Sequence, residues 1–212
     1  MAEDRIPLFS LKLPADVWRQ VRGVLESGWL NTGPKVAEFE RSLAALTGAK
    51  YAVAVSSATA GLQASLEALG AGPGREVITS SFTFAATAAS IIRTGALPVL
   101  ADIDPATLNI DPDEVTRKVS PRTLCILPVD IAGHPADYPE LLAISAKRRL
   151  PLISDSAHSL GAMVGRKPVA RLGELEADPD VLAPRPSDFL VESSYGQDRV
   201  TVIAAVRTHQ IE

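Results

Sequence analysis

The sequence predicts an α/β fold with a largely parallel sheet. Three observations predict it. From residue 51 onward short apolar runs alternate with helical segments. Helix starts and stops are marked by capping residues and glycines. The 212 residues are 46% hydrophobic and 22% charged, enough apolar content for a folded core and too much for a disordered chain.

The elements follow in order. Leu13, Val17, Val21, Val24 and Leu25 recur at helical spacing behind Pro14, whose place suggests a first-turn proline, and Gly28 ends that helix. Asn31-Thr32-Gly33-Pro34 reads as a turn. Val36, Phe39, Leu43 and Leu46 form a second apolar stripe closed by Gly48. Strands are expected at Tyr51 to Val55, Val77 to Thr79, Leu97 to Ala101, Thr123 to Val129 and Leu152 to Ser154. Helices are expected near Thr59 to Leu69, Ala85 to Arg93, Pro112 to Val119 and Tyr138 to Arg149. At Asp111-Pro112-Asp113-Glu114 an Asp cap precedes a first-turn proline, so these acids read as capping groups facing a helix dipole.

Beyond about residue 167 the text becomes acidic and proline-interrupted, as in Glu174 to Asp180 and Pro184-Arg185-Pro186, and reads as loop or linker. Phe189 to Val191 and Val200 to Val206 are short strand candidates within it. This divides the chain into an N-terminal helical segment 1–50, a core 51–172 and a divergent tail 173–212.

Lys and Arg total 21 against 25 Asp and Glu, a net charge of -4 without a basic arm, which argues against a nonspecific nucleic-acid binder. The single Cys125, set in Leu124-Cys125-Ile126-Leu127, has no disulfide partner within the chain and reads as a buried core residue. Met1-Ala2-Glu3-Asp4 lacks the basic and apolar regions of a signal peptide, and the Ala-rich run Phe82 to Ile92 stops at Arg93, well short of a membrane span. A cytoplasmic protein with no membrane partner is the expectation.

In open α/β sheets ligands sit outside the carboxyl ends of the strands. Ser56 to Thr59, Ser80 to Phe84, Asp130 to His134 and Asp155 to His158 occupy such positions. Ser56, Ser57 and Thr59 open a helix, where free N–H groups receive a phosphate or the hydroxyls simply cap; both readings stand. Asp155 either pairs with a protonated ring nitrogen or is satisfied by nearby backbone N–H groups or by Ser156. His158 either borders that mouth or is a surface or packing histidine, and Phe84, like Phe82, either covers a cofactor or packs in the core. His134 has no acidic or Cys partner at metal-ligand spacing, so no metal is expected. Neither a nucleophile elbow nor a hydrolytic triad is present.

Several motifs in order carry a family resemblance: Gly28-Trp29-Leu30-Asn31-Thr32-Gly33-Pro34 with Glu38-Phe39-Glu40, Ser57-Ala58-Thr59-Ala60-Gly61-Leu62, Gly72 to Ile78, Phe82-Thr83-Phe84-Ala85-Ala86-Thr87, Asp102 to Asp111, and Asp155-Ser156-Ala157-His158-Ser159-Leu160-Gly161-Ala162. From about residue 6 to 172 the chain resembles the DegT/DnrJ/EryC1/StrS family, mainly pyridoxal-phosphate aminotransferases acting on nucleotide-linked keto sugars with the type I aminotransferase fold. The resemblance implies that Ser57, Ala58 and Thr59 hold the phosphate of pyridoxal 5'-phosphate, that Phe84 stacks on its ring, that Asp155 pairs with the ring nitrogen, and that His158 borders the ring. It also implies a sugar nucleotide and an amino donor as partners.

The resemblance breaks where family members carry a Ser-Phe-x-x-x-Lys-Asn-like stretch with the Schiff-base lysine. Here the sequence runs Asp188-Phe189-Leu190-Val191-Glu192-Ser193-Ser194-Tyr195-Gly196-Gln197, and no lysine follows Lys167. Lys167, close behind Asp155 in what reads as a surface hairpin, is rejected as a replacement. Ala58 stands where the family commonly has glycine, a concern only if the backbone there needs positive φ.

The expectation is therefore an incomplete large domain, lacking the small domain, that binds cofactor noncovalently if at all and is inactive alone. The alternatives are a noncatalytic protein that forms a homodimer or pairs with a full-length relative, and a nonfunctional gene fragment. In the resembled fold the first strand neighbours one formed after the lysine, so the expected strand 51–55 would be left on an uncovered apolar edge.

Overall fold

The computed structural model describes residues 13–169 apart from 48, 50 and 166. The expected tail 173–212, with its strand candidates Phe189 to Val191 and Val200 to Val206, lies outside the described residues. The chain divides into two compact units, 1–39 and 40–212.

In the first unit, α1 (Val17–Ser27) ends at Gly28, whose φ of 73° is the left-handed conformation that a glycine adopts without strain. Its N-cap is Asp16, so Pro14 sits in the preceding turn, where its carbonyl accepts from Val17 N at 3.1 Å, and not in the first helical turn that the spacing suggested. α2 (Pro34–Thr47) begins in this unit and runs into the second.

The second unit holds a parallel sheet in the order β2 (Leu97–Ala101), β1 (Glu76–Ser80), β3 (Thr123–Leu127). β1 is central and buried along its whole length, as a strand covered on both faces must be. Beyond β3 the chain at 151–155 continues the parallel pairing through bridges Ile126 to Leu152 and Val129 to Asp155. The expected strand Leu152 to Ser154 is thus present as a line of hydrogen bonds, among them Ile153 N to Ile126 O at 3.0 Å, without forming a regular strand.

The two-residue period of the strands sorts side chains to opposite faces. Ile78, Ile126 and Leu152 pack with Val115, Tyr138 and Leu141, residues of α5 (Pro112–Lys118) and α6 (Tyr138–Arg148). Their chain neighbours Val77, Cys125, Leu127 and Ile153 pack on the other face with Leu62 and Leu66 of α3 (Ala58–Ala68) and Ile91 of α4 (Ala85–Arg93). The result is an α/β sandwich of helices around a parallel sheet. Cys125 is fully buried in it, and desolvation pushes its thiol up to about 12.

The expected strand Tyr51 to Val55 does not form. These residues carry no strand assignment, and Tyr51 and Val53 are 62% and 70% exposed. A strand is defined by its neighbour, and within the described residues no strand pairs with this segment.

Candidate functional site

Parallel pairing places the carboxyl ends of β1, β3 and the 151–155 segment along one edge of the sheet. Asp155 ends the last of these and is 7% exposed. Its Oδ2 accepts a 2.8 Å hydrogen bond from Thr87 Oγ1, and among the described residues its Oδ1 has a single, long 3.3 Å contact from Ala157 N. Among the described residues it has no ion-pair partner. A desolvated carboxylate with one short neutral donor is under-compensated, which suits a site that receives a cationic N–H. Of the local alternatives, a backbone N–H is present in the long Ala157 contact, whereas the Ser156 hydroxyl donates to Asp130, at 3.1 Å.

Thr87 escaped sequence reasoning. It is fully buried on α4, and since its hydroxyl proton goes to Asp155, the 2.8 Å contact with Thr83 Oγ1 is a donation from Thr83. A hydroxyl pair one helical turn apart in Thr83-Phe84-Ala85-Ala86-Thr87 is a visible signal, but nothing in the sequence names the carboxylate it serves.

Phe84 is the N-cap residue of the same helix and is 74% exposed, so the core reading is excluded and its ring is free to cover a ligand. Phe82, at 49%, is likewise outside the core. His158 is exposed on the loop after Asp155. Asp155, Phe84 and His158 are thus carried by two segments that the Thr87 hydrogen bond ties together.

Ser57 caps α3, its Oγ accepting from Ala60 N at 3.2 Å with extended backbone at φ -163°. The capping reading is therefore met, and it leaves the Ser57 hydroxyl proton and the N–H groups of Ala58 and Thr59, which have no intrahelical acceptor, for a ligand. Ala58 is the first residue of α3 and is not among the positive-φ residues, so the substitution for glycine causes no strain. Thr59 is half-buried in the first turn. α3 and α4 share one core cluster, yet no hydrogen bond joins Ser57 or Thr59 to Asp155 or His158 among the described residues.

His134 closes the 3-10 turn Ile131–Gly133, and among the described residues no cluster of His, Cys, Asp and Glu could hold a metal ion. The Lys167 backbone lies in the two-stranded hairpin β4 (Met163–Val164) and β5 (Lys167–Pro168), as its sequence suggested. No helix among the described residues is long and apolar enough to cross a membrane.

The sequence profile described as the DegT/DnrJ/EryC1/StrS aminotransferase family matches residues 13–177. The chain belongs to this family. It is 46% identical over 159 residues to the spore coat polysaccharide biosynthesis protein SpsC of Bacillus subtilis, covering 75% of this chain and 41% of SpsC. The solved structure of the PLP form of Spr1654, a putative sugar aminotransferase from Streptococcus pneumoniae, superposes with a TM-score of 0.76 at 34% identity, over 79% of this chain and 46% of that one. DesI, solved in the presence of its TDP-sugar product, gives a TM-score of 0.69 at 43% identity, over 74% of this chain and 40% of its own. The chain spans less than half the length of each of these relatives. It strongly resembles the pyridoxal-phosphate-dependent sugar aminotransferases of this DegT/DnrJ/EryC1/StrS family and corresponds to part of their large domain.

Proposed function

We propose that this chain supplies the cofactor-binding half of a pyridoxal-phosphate-dependent sugar aminotransferase site, and that these 212 residues alone bind the cofactor without a covalent link. The observation that carries the reading is Asp155: a buried carboxylate at the end of the 151–155 segment, hydrogen-bonded by Thr87 and without an ion-pair partner among the described residues. The residues present fit the group. Asp155 would hold the ring nitrogen, Phe84 would cover one ring face, His158 would border the ring, and Ser57, Ala58 and Thr59 at the start of α3 would hold the phosphate. When bound, pyridoxal phosphate supplies an electron sink for the carbon that loses its proton in transamination.

The chain's own part is to set that chemistry up. An anionic Asp155 keeps a proton on the ring nitrogen, Phe84 excludes water from one face, and the α3 N-terminus offers dipole and N–H groups to a dianion. With no lysine after Lys167 in these 212 residues, the amine that attaches cofactor and moves the substrate proton is missing from the chain. The names of relatives support a sugar nucleotide as substrate, since DesI was solved with a TDP-sugar product.

The exposed apolar segment around Val53 favours a second reading, in which the chain acts with a partner, either a second copy or a full-length relative, that covers this edge.

The first reading is tested by titrating the purified chain with pyridoxal phosphate, followed by absorbance and with inorganic phosphate as competitor. Borohydride reduction and intact mass measurement complete the test. Saturable, phosphate-competed uptake without a reduced adduct is expected. No saturable uptake overturns the binding reading, and a stoichiometric adduct overturns its noncovalent form. Co-purification with a full-length relative would support the second reading, and a monomer that captures none would contradict it.

A further inference from the structure

We infer that Asp130 is the positioning residue for the loop that carries Asp155 and His158; its functional meaning rests on the cofactor reading above. Asp130 is fully buried at the carboxyl end of the segment that follows β3. Its Oδ1 accepts from Ala136 N and from Tyr138 Oη, each at 2.9 Å. Its Oδ2 accepts from Ser156 Oγ at 3.1 Å and Ser159 Oγ at 2.5 Å. One carboxylate therefore ties the start of α6 to two serines that bracket Ala157 and His158.

The backbone adds to the link. Asp130 N donates to Asp155 O at 3.1 Å, and Asp155 N donates to Pro128 O at 2.9 Å. On the other side Asn109 fixes the turn after Asp130, its Nδ2 donating to His134 O and Pro135 O at 3.0 Å and its Oδ1 accepting from Ile131 N at 3.2 Å. The turn presses directly on the loop: a Cβ on Gly133 would lie 3.0 Å from His158 O. Burial and the nearby Asp130 charge hold the Tyr138 phenol well above its ordinary range, so it remains a donor to the carboxylate.

The donors on Asp130 are neutral, and hydrogen bonds to a charged acceptor are stronger than those between neutral groups. An amide in its place keeps one acceptor oxygen and turns an NH2 group toward hydroxyls or an N–H that already donate. The hydrogen bonds of the Asp130 carboxylate among the described residues go to Ala136, Tyr138, Ser156 and Ser159, so its link to the site runs through the 155–159 loop.

The test uses the full chain, its Asp130→Asn variant, and the milder Ser159→Ala variant, which removes a single donor. Amide hydrogen exchange is read without ligand, and pyridoxal phosphate is titrated separately. In Asp130→Asn the amides of Asp155, Ala157 and Ser159 are expected to exchange about tenfold faster or more while β1 keeps its protection, and cofactor affinity is expected to fall about tenfold. Ser159→Ala shifts the same amides in the same direction by less. Unchanged protection at 155–159, or an equal loss across β1 and this loop, overturns the inference, the latter because it marks a residue of global stability only. If exchange responds as expected but the unmodified chain takes up no cofactor, the positioning role stands and the cofactor reading falls.

Discussion

Thr87 and Asp155, separated by 68 positions in the chain, meet through a 2.8 Å hydrogen bond in which the threonine hydroxyl donates to Oδ2. That bond joins α4, whose N-cap is Phe84, to the chain end that presents the acid, so the residue proposed to cover the ring and the one proposed to pair with its nitrogen are linked by one contact. Replacing Thr87 with Val keeps the shape and removes the donor. The variant is expected to lose about 1–3 kcal/mol of stability in urea denaturation, because a buried carboxylate forfeits its short partner. Pyridoxal phosphate affinity should fall with it, and Thr87→Ser should restore both. A Thr87→Val variant that binds as tightly as the parent would remove Thr87 from the site.

Gly133 has φ of 86° and no room for a Cβ against His158 O. Gly133→Ala should cost about 1–2 kcal/mol from backbone conformation. It should also displace the His158 backbone, visible as shifted amide resonances confined to 155–159. Silence in those resonances would show that the turn and the loop are not in contact.

Cys125 gives a pH signature. Burial raises its pKa in the folded chain from 9.0 to about 12, so the unfolded chain releases this proton first as pH rises. The contribution to stability is complete below about pH 9 and is lost as pH climbs toward 12, with a slope of about 1.4 kcal/mol per pH unit within that window. Denaturant titrations between pH 8 and 11 should show this slope, and Cys125→Ala should abolish it. A folded thiol that reacts with iodoacetamide at pH 8 as fast as an unfolded one would contradict the burial.

Asp111 caps α5 by accepting from Asp113 N at 2.8 Å. Asp111→Ala should cost about 1 kcal/mol, measured by thermal or urea unfolding, and leave cofactor uptake unchanged. A change in uptake would show that α5 reaches the site.

Most of the fold was legible because its signals are local. The bounds Ala85–Arg93 and Leu97–Ala101 follow from apolar periodicity and from the glycine between them. The expected strand Tyr51 to Val55 fails for a physical reason: apolar residues propose a strand, but hydrogen bonds from a neighbour make one, and the sequence pattern is the same with or without that neighbour. The site divides in the same way. Asp155 was visible as an acid after an apolar run. Thr87 stands inside a motif and Asp130 at a strand end, but the sequence gives neither a role, because the partners that give them meaning come from distant segments, Asp155 for one and Ser156 and Ser159 for the other.

The proposed site depends above all on the Asp155 carboxylate receiving a protonated ring nitrogen. The most direct measurement is the 15N chemical shift of pyridoxal phosphate labelled at the pyridine nitrogen, bound to the chain and to its Asp155→Ala variant near pH 8. The account predicts a protonated-nitrogen shift with the parent chain, and loss of that shift together with weakened binding in the variant. Equal affinity and the same unprotonated shift in both would contradict it.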